Sequence, residues 1–309
     1  KLSDFEDIEK RSKQLESDRA GMLEKISLLP KGFASRYFLV CQACLHYARM
    51  MLSWTDYHSL PEFLDISAEL VDGNDEDEKL KKLLSKNQSK NYFTVLFNDE
   101  IHTYDHVINT LVKIIKCSKM TASIMASSVS REGRSLIVQD LYKPCKQIRD
   151  AIACVRDSGQ GPLKIEVIHG NILAHQSYAL KLIEWIQRMS LLCDAFRVLT
   201  AYTLLGSYDP IPVKEEPTDG MTLLERIMRS NTSYWKMARI DWNDLFVTSL
   251  LTEYSIKDRF ARLLTRIYPR IVQDFVEDDH DHSVSVLTMT TQLYTVPSLV
   301  CMLIEEEDA

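Results

Sequence analysis

Across residues 92–115 the sequence YFTVLFNDEIHTYDHVINTLVKII changes its hydrophobic period, and that change narrows the possible folds more than any other feature of the chain. Phe93, Val95 and Phe97 alternate with Tyr and Thr, the period of a strand. Beyond Tyr104 the apolar positions Val107, Ile108, Leu111, Val112, Ile114 and Ile115 fall at helical spacing. Asn98-Asp99-Glu100 occupies the switch. Such residues bond their own backbone and tolerate tight conformations, so a turn is one reading. The other is a polar cradle for a cationic ligand group. A carboxylate, an amide oxygen and a carbonyl at a loop satisfy the three donors of an α-ammonium. Tyr104 and Val107, one turn apart, with Val129 from the next helix, then line an apolar hole for the ligand's side chain.

The pattern continues with a second helix through Met120, Ile124, Met125 and Val129, which Ser118 is placed to cap. Gly133, in the turn Arg131-Glu132-Gly133-Arg134, is free to take positive φ. Residues 135–138 read as a short strand, 141–155 as a helix and 163–168 as a last alternating strand. The expected order is β-α-α-β-α-β within 91–170, a small α+β domain set between helical regions. Residues 1–72 read as a helical segment and 73–90 as a charged linker. Residues 171–309 read as an α-helical scaffold, with helices at 174–205, 221–228, 241–254, 256–276 and 284–304. A loop at 207–220 holds three of the nine prolines, and 275–283 interrupts the later helices.

With only nine Gly and nine Pro in 309 residues, long regular elements are expected. A net charge of −7 with no block of Lys or Arg argues against a general binder of nucleic acid or anionic membrane. No apolar stretch approaches the roughly 20 residues that span a bilayer. The charged start without an initiator Met reads as a piece of something longer. Seven cysteines, scattered through apolar-periodic segments, read as reduced and mostly buried thiols of a cytosolic or nuclear protein.

The candidates for chemistry are few. Cys41-Gln-Ala-Cys44 has the spacing of zinc and redox sites, but zinc needs four ligands and no second pair completes the set. Asp278-Asp279-His280-Asp281-His282 is the densest group of metal-ligand types, and an acidic helix-capping turn explains it as well. His169 and His175 lack an activated Ser or Cys in any nucleophile elbow, and there is no glycine-rich phosphate loop. Nothing in the chain looks like a self-contained active site.

VLFNDEIHTYDHVI resembles the ClpS family, whose members hold the N-terminal residue of a substrate in a small β-α-α-β-α-β domain. With HTYDHV and the later SREGRS turn, it is similar to the ClpS-like domain of eukaryotic N-recognins, the UBR-type E3 ubiquitin ligases. PLKIEVIHGNILAHQSYALKLIEWI and DFVEDDHDHSVSVLTMTTQLYTVPSLVCMLIEEE resemble the helical region that follows it in those ligases. The resemblance implies that Asn98 bonds the α-amino group and first peptide unit of a degron. Asp99 shapes the amine-binding loop and adds negative potential, with Glu100 beside it. His102 and Tyr104 flank the pocket, and Val107, Ala126, Val129 and Leu163 line it.

Bacterial members have a larger Met at the Ala126 position and an amine-binding His at the Ser130 position, so this pocket is wider or more weakly polar. The implied ligands are proteins beginning with Phe, Leu, Trp, Tyr or Ile. The implied setting is the N-degron pathway of the cytoplasm, also of the nucleus, with an E2 recruited by a RING elsewhere in the ligase. Zinc is expected in that RING and in a UBR box; no cofactor, metal, nucleic acid or membrane is expected for this stretch. Two other readings stand beside it: a degenerate domain that only spaces a UBR box from a RING, favoured by Ala126 and Ser130, and a metal or hydrolytic enzyme using 278–282 and His175.

Overall fold

A computed structural model describes residues 13, 17–18, 20–61, 64, 91–99, 101–155, 161–206, 220–278, 288–297, 299–300 and 303–304. In chain order the elements are α1 (Phe33–Leu52), β1 (Tyr92–Phe97), α2 (Tyr104–Ile115), α3 (Lys119–Glu132), β2 (Arg134–Asp140), α4 (Tyr142–Ala153) and β3 (Ile165–His169). Then follow α5 (Gly170–Leu192), α6 (Asp194–Leu205), α7 (Leu223–Arg229), α8 (Lys236–Leu250), α9 (Tyr254–Asp278) and α10 (Thr288–Tyr294). The fold is α+β. One compact unit takes the described residues of 51–178 together with Trp235–Met237; the other takes those of 1–50, 179–234 and 238–309.

The first unit has the expected β-α-α-β-α-β order. Its sheet runs β2-β1-β3, with β1 antiparallel to both neighbours. Thr94 pairs with Val138 and Val95 with Leu136, so Ile137 is the extra residue of a bulge. As the central strand, β1 is buried on both faces. Leu96 joins Ile108, Leu111, Ala122, Ala126, Ile152 and Ile165 in a core under the three helices. Val95 faces the other way, into a cluster with Ile168, Ile172, Leu173, Trp54, Tyr57 and Leu60. The buried Thr94 donates its hydroxyl to the carbonyl of Cys145 at 3.2 Å, which satisfies its one polar group on the helical side.

Local chemistry sets the ends of these helices. Thr103 accepts from the backbone N–H of His106 and Ser118 from that of Thr121, two side-chain N-caps. α3 stops at Gly133, whose φ of +86° is the left-handed conformation that closes a helix with the residue having no Cβ to clash. Both Ser118 and Gly133 thus do what their sequence positions suggest.

In the helical unit Tyr37 stacks on Phe196 at 4.5 Å, and Ser190 and Tyr37 both meet the hydroxyl of Thr200 at 3.1 Å. Cys41 is buried beside them, and burial pushes its thiol up to about 12, which suits an inert core residue. Among the described cysteines, Cys145 is likewise buried, Cys44, Cys117 and Cys193 are half-buried and Cys154 is exposed. Glu225, at the third position after the N-cap Thr222, is buried and receives Arg229 at 2.8 Å and Arg266 at 2.9 Å.

Four boundaries differ from expectation. The apolar run through 174–205 is two helices, broken where Cys193 takes an extended conformation. α8 starts at Lys236, five residues before the apolar pattern suggests. α9 continues to Asp278, so 275–278 lie within a helix rather than in an interruption; Asp279–His282, the 207–219 loop and the 73–90 linker lie outside the described residues. Within 284–304 α10 spans Thr288–Tyr294 and ends there, and 284–287 lie outside the described residues. No helix among the described residues is long and apolar enough to cross a membrane.

Asp241 on α8 gives a stability prediction. Burial, reinforced by Asp244 and Glu184 and opposed by Lys181, pushes its carboxyl up to about 6. The unfolded chain titrates this group near 3.9. Its charge therefore costs nothing below about pH 4, and stability is lost as pH rises through about 6. Asp241→Asn should raise the thermal midpoint at pH 7.5 and confer no advantage below pH 4. An unchanged midpoint at pH 7.5 would mean the carboxylate is freely solvated.

Candidate functional site

The site is built where β1 ends. The N–H of Phe97 donates to the carbonyl of Lys164 at 2.9 Å, and that of Asn98 donates to Gly133 at 2.8 Å. The turn thus leaves the sheet held on one side by the run into β3 and on the other by the end of α3. Asp99 then folds the loop on itself. Its Oδ1 accepts from the N–H of Ile101 at 3.1 Å and of His102 at 2.9 Å, an Asx-type turn. His102 Nδ1 lies 3.0 Å from each carboxylate oxygen, and its Nε2 lies 2.9 Å from the carbonyl oxygen of Gly161.

The His102 side chain is 1% exposed and that of Asp99 11%. The imidazole stacks on His106 of α2, with ring centroids 5.1 Å apart. His102 therefore turns inward as a clamp between the turn and Gly161. Asp99 is likewise committed to the loop's own groups, so its negative charge is presented through a fixed turn. Glu100 lies outside the described residues.

The apolar candidates meet. Ala126, Val129 and Leu163 are 3%, 5% and 3% exposed and share one cluster, with Val107 packed against it and half-buried. These residues come from α2, α3 and the segment before β3, three elements brought together by the sheet. Tyr104 begins α2 and is exposed. Its hydroxyl donates to the carbonyl of Ser123 at 2.8 Å and also meets the side-chain oxygens of Ser123 and Ser127. Those serine contacts hold its phenol below the usual range.

Ser130 is exposed at the last turn of α3. Its carbonyl accepts from the Lys236 ammonium at 3.0 Å. Sequence reading did not find Gly161, Ser123, Ser127 or Lys236. Ser123 and Ser127 left only a faint signal, being two of five hydroxyl residues on that helix, and a backbone carbonyl leaves none.

Among the described residues, which exclude Asp279–His282, no group of three His, Cys, Asp or Glu side chains could hold a metal ion. Burial lowers the pKa of half-buried His175. Burial, with His58 nearby, does the same for His169, whose ring instead packs edge-on against Tyr92.

Residues 87–166 match the family described as the ATP-dependent Clp protease adaptor protein ClpS. The chain is 34% identical over 282 residues to the human E3 ubiquitin-protein ligase UBR2, covering 91% of this chain and 14% of that protein. It is 30% identical over 250 residues to human E3 ubiquitin-protein ligase UBR1, covering 80% and 14%. With the Drosophila melanogaster UBR1 it shares 31% over 252 residues, 78% of this chain and 13% of the relative. The chain thus spans about a seventh of the length of these relatives.

Asp99→Ala removes the acceptor of two backbone N–H groups and one imidazole nitrogen. Donors left unmade in a half-buried loop cost about 1–3 kcal/mol. The substitution should lower the thermal midpoint while leaving the far-UV circular dichroism of the folded state unchanged. Asp99→Asn, which keeps one acceptor oxygen, should recover part of the loss. A wild-type midpoint for Asp99→Ala would show that the carboxylate does not hold the loop.

Proposed function

The chain belongs to the UBR-type N-recognin family of E3 ubiquitin-protein ligases, and we propose that it serves such a ligase by selecting substrates through a free N-terminal residue with a bulky hydrophobic side chain. One observation carries this reading. Within the residues that match ClpS, the Asn98-Asp99 turn at the end of a fixed strand lies in the same small domain as a core containing Ala126, Val129 and Leu163, with Val107 against it. In this reading Asn98 receives the α-ammonium and first peptide unit. Asp99 shapes the loop and supplies negative potential, with Glu100 adding to it. His102 holds the loop, Tyr104 and Ser130 flank the opening, and the apolar residues receive the side chain.

Magnitudes explain why both ends of the ligand residue must be read. Burying a Phe or Leu side chain contributes about 1.5–3 kcal/mol. A hydrogen bond to a charged group contributes a similar amount, about 1.5–3 kcal/mol. Micromolar affinity requires about 8 kcal/mol, so neither contact suffices alone, and the two together, about 3–6 kcal/mol, still need contacts to the first peptide unit. A ligand lacking either the ammonium or the side chain should lose tenfold or more, roughly the factor for 1.4 kcal/mol.

The rest of the activity is proposed for the full-length ligase. There a RING positions the E2 thioester, zinc is held by that RING and by a UBR box, and this stretch binds and scaffolds without a cofactor. Its partners are proteins with hydrophobic N-termini, with no nucleic acid or membrane, in the cytoplasm and also the nucleus. A second reading, a degenerate domain that only spaces a UBR box from a RING, is favoured by the depth at which Ala126, Val129 and Leu163 are packed.

Fluorescence anisotropy with short peptides differing only at residue one separates the two. Saturable binding of Phe, Leu and Trp peptides, absent for Gly, Arg and N-acetyl-Phe, is expected. Val107→Trp, which sets an indole against the cluster of Ala126 and Val129, should abolish binding of the Phe and Leu peptides while the chain stays folded, at a cost of about 1–3 kcal/mol in stability. A well-folded chain that binds none of the peptides would favour the spacer.

A further inference from the structure

Part of the site's support comes from well beyond the residues that match ClpS. Gly133 closes α3, and a Cβ at that position would lie 2.5 Å from the backbone nitrogen of Lys236 and 2.7 Å from its Cβ. The next residue, Arg134, pairs with Phe97 at the last position of β1. Its guanidinium carbon stands 3.5 Å from the ring centre of the buried Trp235. Arg134 is itself fixed, donating to Gln176 at 2.6 Å, and the buried Gln176 donates to the carbonyl of Met51 at 3.3 Å. Trp235-Lys236 thus lies as a strap across Gly133 and Arg134, where α3 ends and β2 begins.

The ammonium of Lys236 reaches the carbonyl of Ser130 at 3.0 Å. The last carbonyls of a helix have no intrahelical donor, and the negative end of its dipole favours a cation. Lys236 therefore supplies a charge-assisted cap to the turn of α3 that carries Val129 and Ser130. That turn holds the loop in its place: Gly133 donates to Val129 at 2.8 Å and accepts from the N–H of Asn98 at 2.8 Å.

We infer that Lys236, seated by Trp235, is a positioning residue for the binding loop, fixing the end of α3 against which Asn98 is hung. Its role in affinity rests on the degron reading; its role in ordering the loop does not. The ClpS-matched residues 87–166 thus do not contain everything that orders the site.

Amide hydrogen exchange on the ligand-free chain tests this directly. Lys236→Met keeps the aliphatic stem and removes the charge, and should speed exchange at Asn98 and Gly133 roughly tenfold, the scale of one charge-assisted hydrogen bond. Lys236→Arg, which retains a cationic donor, should restore protection, a rescue that simple packing would not give. Wild-type exchange at both amides in Lys236→Met, or no rescue by Lys236→Arg, would overturn the inference. In the anisotropy assay Lys236→Met should weaken Phe-peptide binding by a similar factor. If wild type fails to bind the peptide, the degron reading fails, and exchange at Asn98 still decides the role of Lys236.

Discussion

One carboxylate organises the loop on which the proposed function turns. Asp99 accepts two backbone N–H groups and faces the Nδ1 of His102, whose other ring nitrogen faces the carbonyl of Gly161. The chain leaving β1 is thereby tied to itself and to the segment leading into β3. A loop with its own polar groups satisfied can stand ready at the edge of an apolar core without collapsing onto it. The opposition between a structural turn and a ligand cradle dissolves here: the residues that close the turn also fix where its negative charge sits.

Behind the loop, function and stability draw on the same side chains. Ala126, Val129 and Leu163 are core residues by burial and wall residues in the degron reading. The helix carrying Ala126 and Val129 and the segment carrying Leu163 both pack on a sheet whose central strand is buried on both faces. In the degron reading a bulky ligand side chain therefore has to displace packed core, with Ala126 the one small residue among them. The rim is polar and locally satisfied: Tyr104 is tied by its hydroxyl to Ser123, and the end of α3 is capped by a lysine from far along the chain.

Much of this domain was legible in the sequence because its signals are local. The switch from alternation to helical spacing at Asn98, the capping serine at 118 and the glycine at 133 each act within a few residues, and the element order followed from them. The unforeseen contacts are distant. His102 finds Gly161 59 residues away, and Lys236 finds Ser130 across 106. One partner in each case is a backbone carbonyl, which every residue type carries, so no pattern of side chains betrays it. The break at Cys193 was hidden for a related reason: an apolar run keeps its burial across a helix junction, and periodicity alone does not see the hinge.

The most direct measurement is an amide-resolved NMR titration of the chain with a short peptide beginning with free Phe. The account predicts saturable shifts concentrated at Ile101, His102, Val107, Val129 and Ser130, with amides of the helical unit around Glu225 and Trp242 unmoved. Shifts centred elsewhere on a folded chain, or the same shifts produced by the N-acetylated peptide, would contradict it.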